Sequence, residues 1–106
     1  MQQLIAENEK YILTNLFSNG INYFYIYDKE HNIVEKQISH SLTKKKSEKA
    51  INIVKEYFSD CDNLITAMEK NINNKYGKGI RAQYFLLMTI DENNDATNYI
   101  TNIECN

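Results

Sequence analysis

Apolar residues along this chain come in short stretches whose spacing switches between a helical and an extended period. Over 3–18, Ile5, Ile12 and Leu16 line one stripe at helical spacing. Leu13 and Phe17 widen it, while Glu7, Glu9 and Lys10 fall elsewhere. The pattern predicts an amphipathic helix. Asn19-Gly20 reads as its stop, because both residues tolerate the left-handed backbone at a helix C-terminus. INYFYIYD at Ile21–Asp28 is dense in aromatic and β-branched residues and predicts a strand. A polar turn, Lys29-Glu30-His31-Asn32, leads into a second strand over 33–38 and completes a hairpin.

Residues 39–43 form a connection rich in capping residues. A helix is predicted from Thr43 to Phe58, with Ala50, Ile51, Val54, Tyr57 and Phe58 inward. Lys44, Lys45 and Lys46 in its first turn oppose the helix dipole. Ser59 and Asp60 break this helix and cap a third, which runs to Tyr76 through Ile65, Met68 and Ile72. Gly77-Lys78-Gly79 ends it. The most apolar run follows, IRAQYFLLMTID at 80–91. Ile80, Ala82, Tyr84, Leu86, Met88 and Ile90 share one face and Phe85 and Leu87 the other, which predicts an interior strand buried for most of its length. A turn at 92–95 and a last strand over 96–105 close the chain.

The predicted order is therefore α-β-β-α-α-β-β. It describes an α+β fold with a single four-stranded, mainly antiparallel sheet and helices packed on it. The two halves look alike: Leu4-Ile5-Ala6 with Glu9-Lys10 parallels Leu64-Ile65-Thr66 with Glu69-Lys70. A duplicated α-β-β unit and chance similarity both account for this. The order of elements resembles that of roadblock-like and profilin-like scaffolds, on no shared motif, and so implies nothing about function. With 106 residues and no Pro- or Ser-rich linker, one domain is expected.

Composition narrows the function classes. A net charge of −2 and 25% charged residues argue against a nucleic-acid binder that works through bulk positive charge. No apolar stretch approaches the ~20 residues that span a bilayer, and no basic-then-apolar leader opens the chain. Cys61 and Cys105 fit no metal or redox spacing. Without an N-x-[ST] acceptor to favour secretion, the reading is two free thiols in a cytoplasmic protein, with a disulfide as the alternative. The abundance of Asn, Ile and Lys, with no Pro or Trp, points to AT-rich coding of the kind found in low-GC bacteria and their phages.

Candidate chemistry is sparse. In INYFYIYD, Tyr23, Tyr25 and Tyr27 lie on one side and Phe24 and Ile26 on the other. Aromatic rings with a polar tip suit surfaces that are alternately wet and covered. In one reading, helices cover Phe24 and Ile26 and the tyrosines bind a partner, with Tyr84 and Tyr99 extending the patch. In the other, the tyrosines face the helices and belong to the core. Stacked nucleic-acid bases would need basic neighbours, and Lys36 and Arg81 are the candidates near the strands. The run TKKKSEK at 43–49 reads as a solvated helix face. Asp91, Asn93 and Asp95 have the first spacings of a calcium loop, but Ala96 stands where Gly is needed and Asn102 where a bidentate Glu belongs. His40 with Cys61 lacks a third, orienting residue for nucleophilic catalysis. Gly77-Lys78-Gly79 is too short for a phosphate loop.

No catalytic, metal or cofactor motif emerges, so an enzyme is not expected. The leading expectation is a small protein-interaction module, of the type of a phage or mobile-element inhibitor or accessory protein. It would act by binding a larger protein or a second copy of itself through Tyr23, Tyr25, Tyr27 and Tyr84. The alternative is a sensing or sequestering protein for an anionic, nucleotide-like ligand held by Arg81, Lys44, Lys45 and Lys46.

Overall fold

Residues 3–18 form two strands rather than a helix, and this changes the whole architecture. The computed structural model describes residues 2–19, 21–40, 43–73, 75, 79, 84, 86–90 and 96–105; the side chains at 40, 89, 90 and 96–99 are not among them. β1 (Gln3–Glu7) and β2 (Tyr11–Ser18) pair antiparallel, and β2 pairs along its full length with β3 (Ile21–Asp28). The spacing that resembled a helical stripe is a strand with apolar residues on both faces. Tyr11 and Leu13 alternate with Ile12, Thr14 and Leu16, and the Tyr, Ile, Thr and Phe content suits a pleated surface. Asn8 makes the turn between β1 and β2. Its Oδ1 accepts from the backbone N–H of Lys10 (3.1 Å) and Tyr11 (2.7 Å), a local side-chain turn that competes with helix. Asn19, with φ of 54°, sits in the β2–β3 connection instead of ending a helix.

The predicted hairpin is present, with β4 at Ile33–His40 longer than expected. The main sheet has five strands in the order β4-β3-β2-β1-β7, where β7 (Ile103–Glu104) lies parallel to β1 and the other neighbours are antiparallel. It is thus a mixed five-stranded sheet reached in the order β-β-β-β-α-α-β, not a four-stranded sheet in the order α-β-β-α-α-β-β. A separate two-stranded ribbon joins β5 (Met88–Ile90) to β6 (Ala96–Tyr99). The duplicated α-β-β unit is excluded, because Leu4-Ile5-Ala6 is strand while Leu64-Ile65-Thr66 is helix. The element order shared with roadblock-like and profilin-like scaffolds goes with it.

Helix α1 (Lys44–Tyr57) follows the sequence reading closely. Thr43 caps it, its side chain accepting from the Lys46 N–H, and Ser47, Ala50, Ile51 and Val54 turn inward at i, i+3, i+4 and i+7. Helix α2 (Asp62–Asn71) starts at Cys61 without a side-chain cap. Asp60, expected as a cap, instead accepts through Oδ1 from Asn8 Nδ2 at 3.0 Å. The same Nδ2 reaches the Tyr57 carbonyl at 3.0 Å, so one asparagine ties the first turn of the sheet to the end of α1.

One apolar core lies between the helices and a single face of the sheet. Leu13, Phe24 and Ile26 from the sheet are sealed against Val54, Phe58, Leu64 and Met68 from the helices. The described part of the run at 80–91 does not join this sheet as an interior strand. Part of the run lies outside the described residues; in the remainder, Leu86 and Leu87 are both buried in a turn, and Met88–Ile90 pairs only with β6. Asn71 holds this segment, donating from Nδ2 to the carbonyls of Leu86 (3.1 Å) and Met88 (2.8 Å). Burial of two consecutive residues is natural in a turn wedged beside a helix and needs no second covered sheet face.

Cys61 and Cys105 are joined in a disulfide, not free thiols. The bond ties the start of α2 to the end of β7, where Asn63 Nδ2 also donates to the Glu104 carbonyl (2.9 Å). Closing a loop with a sequence separation of 44 stabilises the fold by about 4 kcal/mol on the chain-entropy account. Reduction with a phosphine, or Cys105→Ser, is expected to lower the unfolding free energy from urea titration by that order, with a lower midpoint, and to speed hydrogen exchange in β7 and the outer edge of β1. An unchanged midpoint would show that the bond is not formed in solution. Ser47 is buried and its Oγ has no hydrogen-bond partner among the described residues. Because an unpaired buried hydroxyl is unfavourable and Ala is the better helix former, Ser47→Ala should raise stability by about 1 kcal/mol in the same measurement.

Candidate functional site: the open face of the sheet

The side of the sheet opposite the helices carries the tyrosines. Along β3, Asn22, Phe24 and Ile26 are buried while Tyr23, Tyr25 and Tyr27 are half-exposed. Period-2 alternation alone sends the two sets to opposite faces once the helices choose Phe24. The three rings form a row: the centroids of Tyr23 and Tyr25 lie 6.5 Å apart at an interplanar angle of 17°, and those of Tyr25 and Tyr27 lie 6.4 Å apart at 32°.

Cross-strand register adds neighbours on both sides. On β2, Leu16, Thr14 and Ile12 stand opposite Tyr23, Tyr25 and Tyr27; on β4, Ser39, Gln37 and Val34 do the same. Leu4 of β1 pairs with Thr14 and is 40% exposed, and Val34 is 48% exposed. The Tyr27 hydroxyl donates to Gln2 Oε1 (3.0 Å), as does Thr14 Oγ1 (2.7 Å). The hydroxyls of Tyr23 and Tyr25 make no hydrogen bond among the described residues, which leaves each free to donate and accept.

Charge is almost absent from this face. Glu7, in register with Ile12, is the charged strand residue on it, and Lys29 neutralises it at 2.6 Å. Lys36 is in register with Ile26 and so belongs to the opposite side. Stacked nucleic-acid bases would need cations to track their phosphates, and the strands place none here.

Both edges of the sheet are covered or blunted. β7 and the disulfide cover β1. β4 is an open edge, but its register shifts between Ile26/Lys36 and Tyr27/Val34, leaving Glu35 as an extra residue beside Lys36. A bulge and adjacent charges are standard means of discouraging edge-to-edge pairing.

The remaining expected sites fare differently. Tyr84 is half-buried in the segment anchored to α2, outside the five-stranded sheet, and makes no described contact with the tyrosine row. Tyr99 lies in β6, likewise outside that sheet. Lys44, Lys45 and Lys46 are exposed on the first turn of α1 and line none of the described clefts. Arg81 and the acidic turn at 91–95 lie outside the described residues, as do Gly77 and Lys78. Cys61, bonded to Cys105, has no free thiol to pair with His40. Among the described residues no three His, Cys, Asp or Glu side chains converge as a metal site. No described helix is long and apolar enough to cross a membrane.

Sequence reasoning missed Ile12, Thr14, Leu16, Leu4 and Val34 as members of this face. The first four were placed on a helix; the alternation around Thr14 and the Asn8 turn carried the signal that would have found them. Comparison with known protein families, with curated proteins and with solved structures gives no match for this chain.

One titrating pair decorates the hairpin tip beside the face. His31 Nδ1 lies 2.8 Å from Asp28 Oδ2, and the backbone N–H groups of Glu30 and His31 donate to Asp28 Oδ1. The hydrogen bond from the ring, then that from the His31 backbone, hold the Asp28 carboxyl below its usual range. The hydrogen bond to Asp28, then its charge, raise the imidazole. The raised His31 favours the folded tip fully below about pH 6.5, and that gain is lost as pH rises through its folded value. The lowered Asp28 favours it above about pH 4, a gain lost as pH falls through its folded value. An NMR titration should therefore place His31 above about 6.5, and Asp28→Asn should bring it back. A His31 midpoint at or below the ordinary value would mean the contact does not persist in solution.

Proposed function

We propose that this protein is a non-enzymatic interaction module that binds another protein through the open face of its sheet. The observation that carries the reading is a row of three half-exposed tyrosines flanked by apolar residues, on the side of the sheet opposite both described helices. Contiguous exposed apolar surface of this kind marks a contact site more often than a bare protein surface. Tyrosine supplies large contact area with few rotatable bonds and is enriched where binding energy concentrates. The near-absence of charge argues for a protein partner over a phosphate-bearing one. None of the described clefts is lined by Lys44, Lys45 or Lys46, the lysines that an anionic ligand would use. The disulfide supports work in an oxidising setting and weighs against the cytoplasm.

Tyr25 lies at the centre of the row and is the natural anchor. Tyr25→Ala should weaken a captured partner's binding by about 1–2 kcal/mol or more, roughly tenfold in Kd. Its effect on stability should stay well below the about 3–5 kcal/mol expected for Phe24→Ala. A Tyr25→Ala protein that melts lower but binds its partner as the wild type does would show that the tyrosines serve only the fold.

A further inference from the structure

The open face offers more than a place for an unspecified partner; its chemistry fits a copy of itself. We infer that two chains associate face to face through their tyrosine rows, on a two-fold axis passing near Tyr25. This inference rests on reading that face as protein-binding. In an isologous interface one patch meets a copy of itself, so a face of net charge repels its counterpart while a neutral one does not. Here Glu7 is already matched by Lys29 within the chain. Tyr23 and Tyr25 each present a hydroxyl, unpaired among the described residues, that can both donate to and accept from polar groups of a second copy. A partner of different chemistry would find no unmatched charge among the described residues of this face to select for it.

Geometry sets the strength. Strands β2, β3 and β4 are eight residues long, and β1 is five. At about 3.4 Å per residue and about 4.8 Å between strands, the face projects roughly 27 by 19 Å, or about 500 Å². Side-chain relief raises the accessible area above this projection, toward the about 800 Å² that each partner contributes to a standard interface. The area fits a reversible dimer and falls short of an obligate one. Two sheets packed in this way lie about 10 Å apart with nearly aligned strands. The bulged, charged β4 and the covered β1 leave the face as the better route and oppose growth into a longer sheet.

Sedimentation equilibrium of the oxidised chain from 1 µM to 1 mM tests this. The expected result is a reversible monomer–dimer equilibrium whose midpoint falls inside this concentration range. Tyr25→Arg and Tyr25→Glu should each be monomeric with an unchanged circular dichroism spectrum, and an equimolar mixture of the two should dimerise. If either fails to fold, Gln37→Arg and Gln37→Glu, at an exposed position in register with Tyr25, replace them. A wild type that stays monomeric to 1 mM overturns the inference, yet leaves the partner-binding reading to its own Tyr25→Ala test. A dimer that survives Tyr25→Arg but is lost in Lys36→Pro overturns it in favour of pairing through β4.

Discussion

Phe24 and Ile26, with Leu13 beside them, are sealed beneath α1 and α2, and the rest of the molecule is arranged around that burial. Each side chain of this size removed from water contributes about 1.5–3 kcal/mol, so this face of the sheet is where the fold gains most of its stability. Two helices of 14 and 10 residues can cover one side of a five-stranded sheet and no more. Once they dock on Phe24, strand alternation leaves Tyr23, Tyr25 and Tyr27 on the other side. The same constraint that builds the core therefore creates the proposed contact surface.

Polar side chains fix how the pieces meet. Asn8 closes the β1–β2 turn with its carbonyl oxygen and grips the end of α1 with its amide, while Tyr11 packs edge-on against Tyr57 at 5.0 Å. Burial, then the charges of Glu35 and Glu56, raise the Tyr57 phenol above its usual range. Asn71 does for the 86–88 segment what Asn8 does for the first turn. Asn15 and Asn22, both buried, bond to each other across β2 and β3 on the covered face, and Asn15 also donates to the Tyr23 carbonyl. In a chain so rich in asparagine, the buried ones satisfy their hydrogen-bonding capacity with backbone or with one another. The disulfide completes the set by holding a two-residue strand onto an edge that it could scarcely cover through hydrogen bonds alone.

Legibility varied with how local the deciding forces were. Helix α1 was readable because cap, period and stop all lie within one short stretch from Thr43 to Asp60, and the β3–β4 hairpin because aromatic density and a polar turn sit side by side. Residues 3–18 misled because Ile5, Ile12 and Leu16 satisfy a helical period, while the strand pairing that overrides it is with β3, beyond the stretch itself. The run at 80–91 misled in the opposite way: its two apolar faces suit an interior strand, but burial beside α2 satisfies Leu86 and Leu87 without sheet neighbours. The tyrosine row was visible in the sequence; for Ile12, Thr14 and Leu16 the alternation and the Asn8 turn signalled a strand, but their place beside the tyrosines follows from pairing.

By itself the sequence determined the α+β class, helix α1, the central hairpin and the opposition of Tyr25 to Phe24, because each depends on residues within a few positions of one another. Only the tertiary structure decided that β1 and β2 are strands, that β7 returns parallel to β1, that Cys61 meets Cys105, and which face of the sheet stays open. Those outcomes depend on contacts between distant segments. Local periodicity does not record which surface another element will cover.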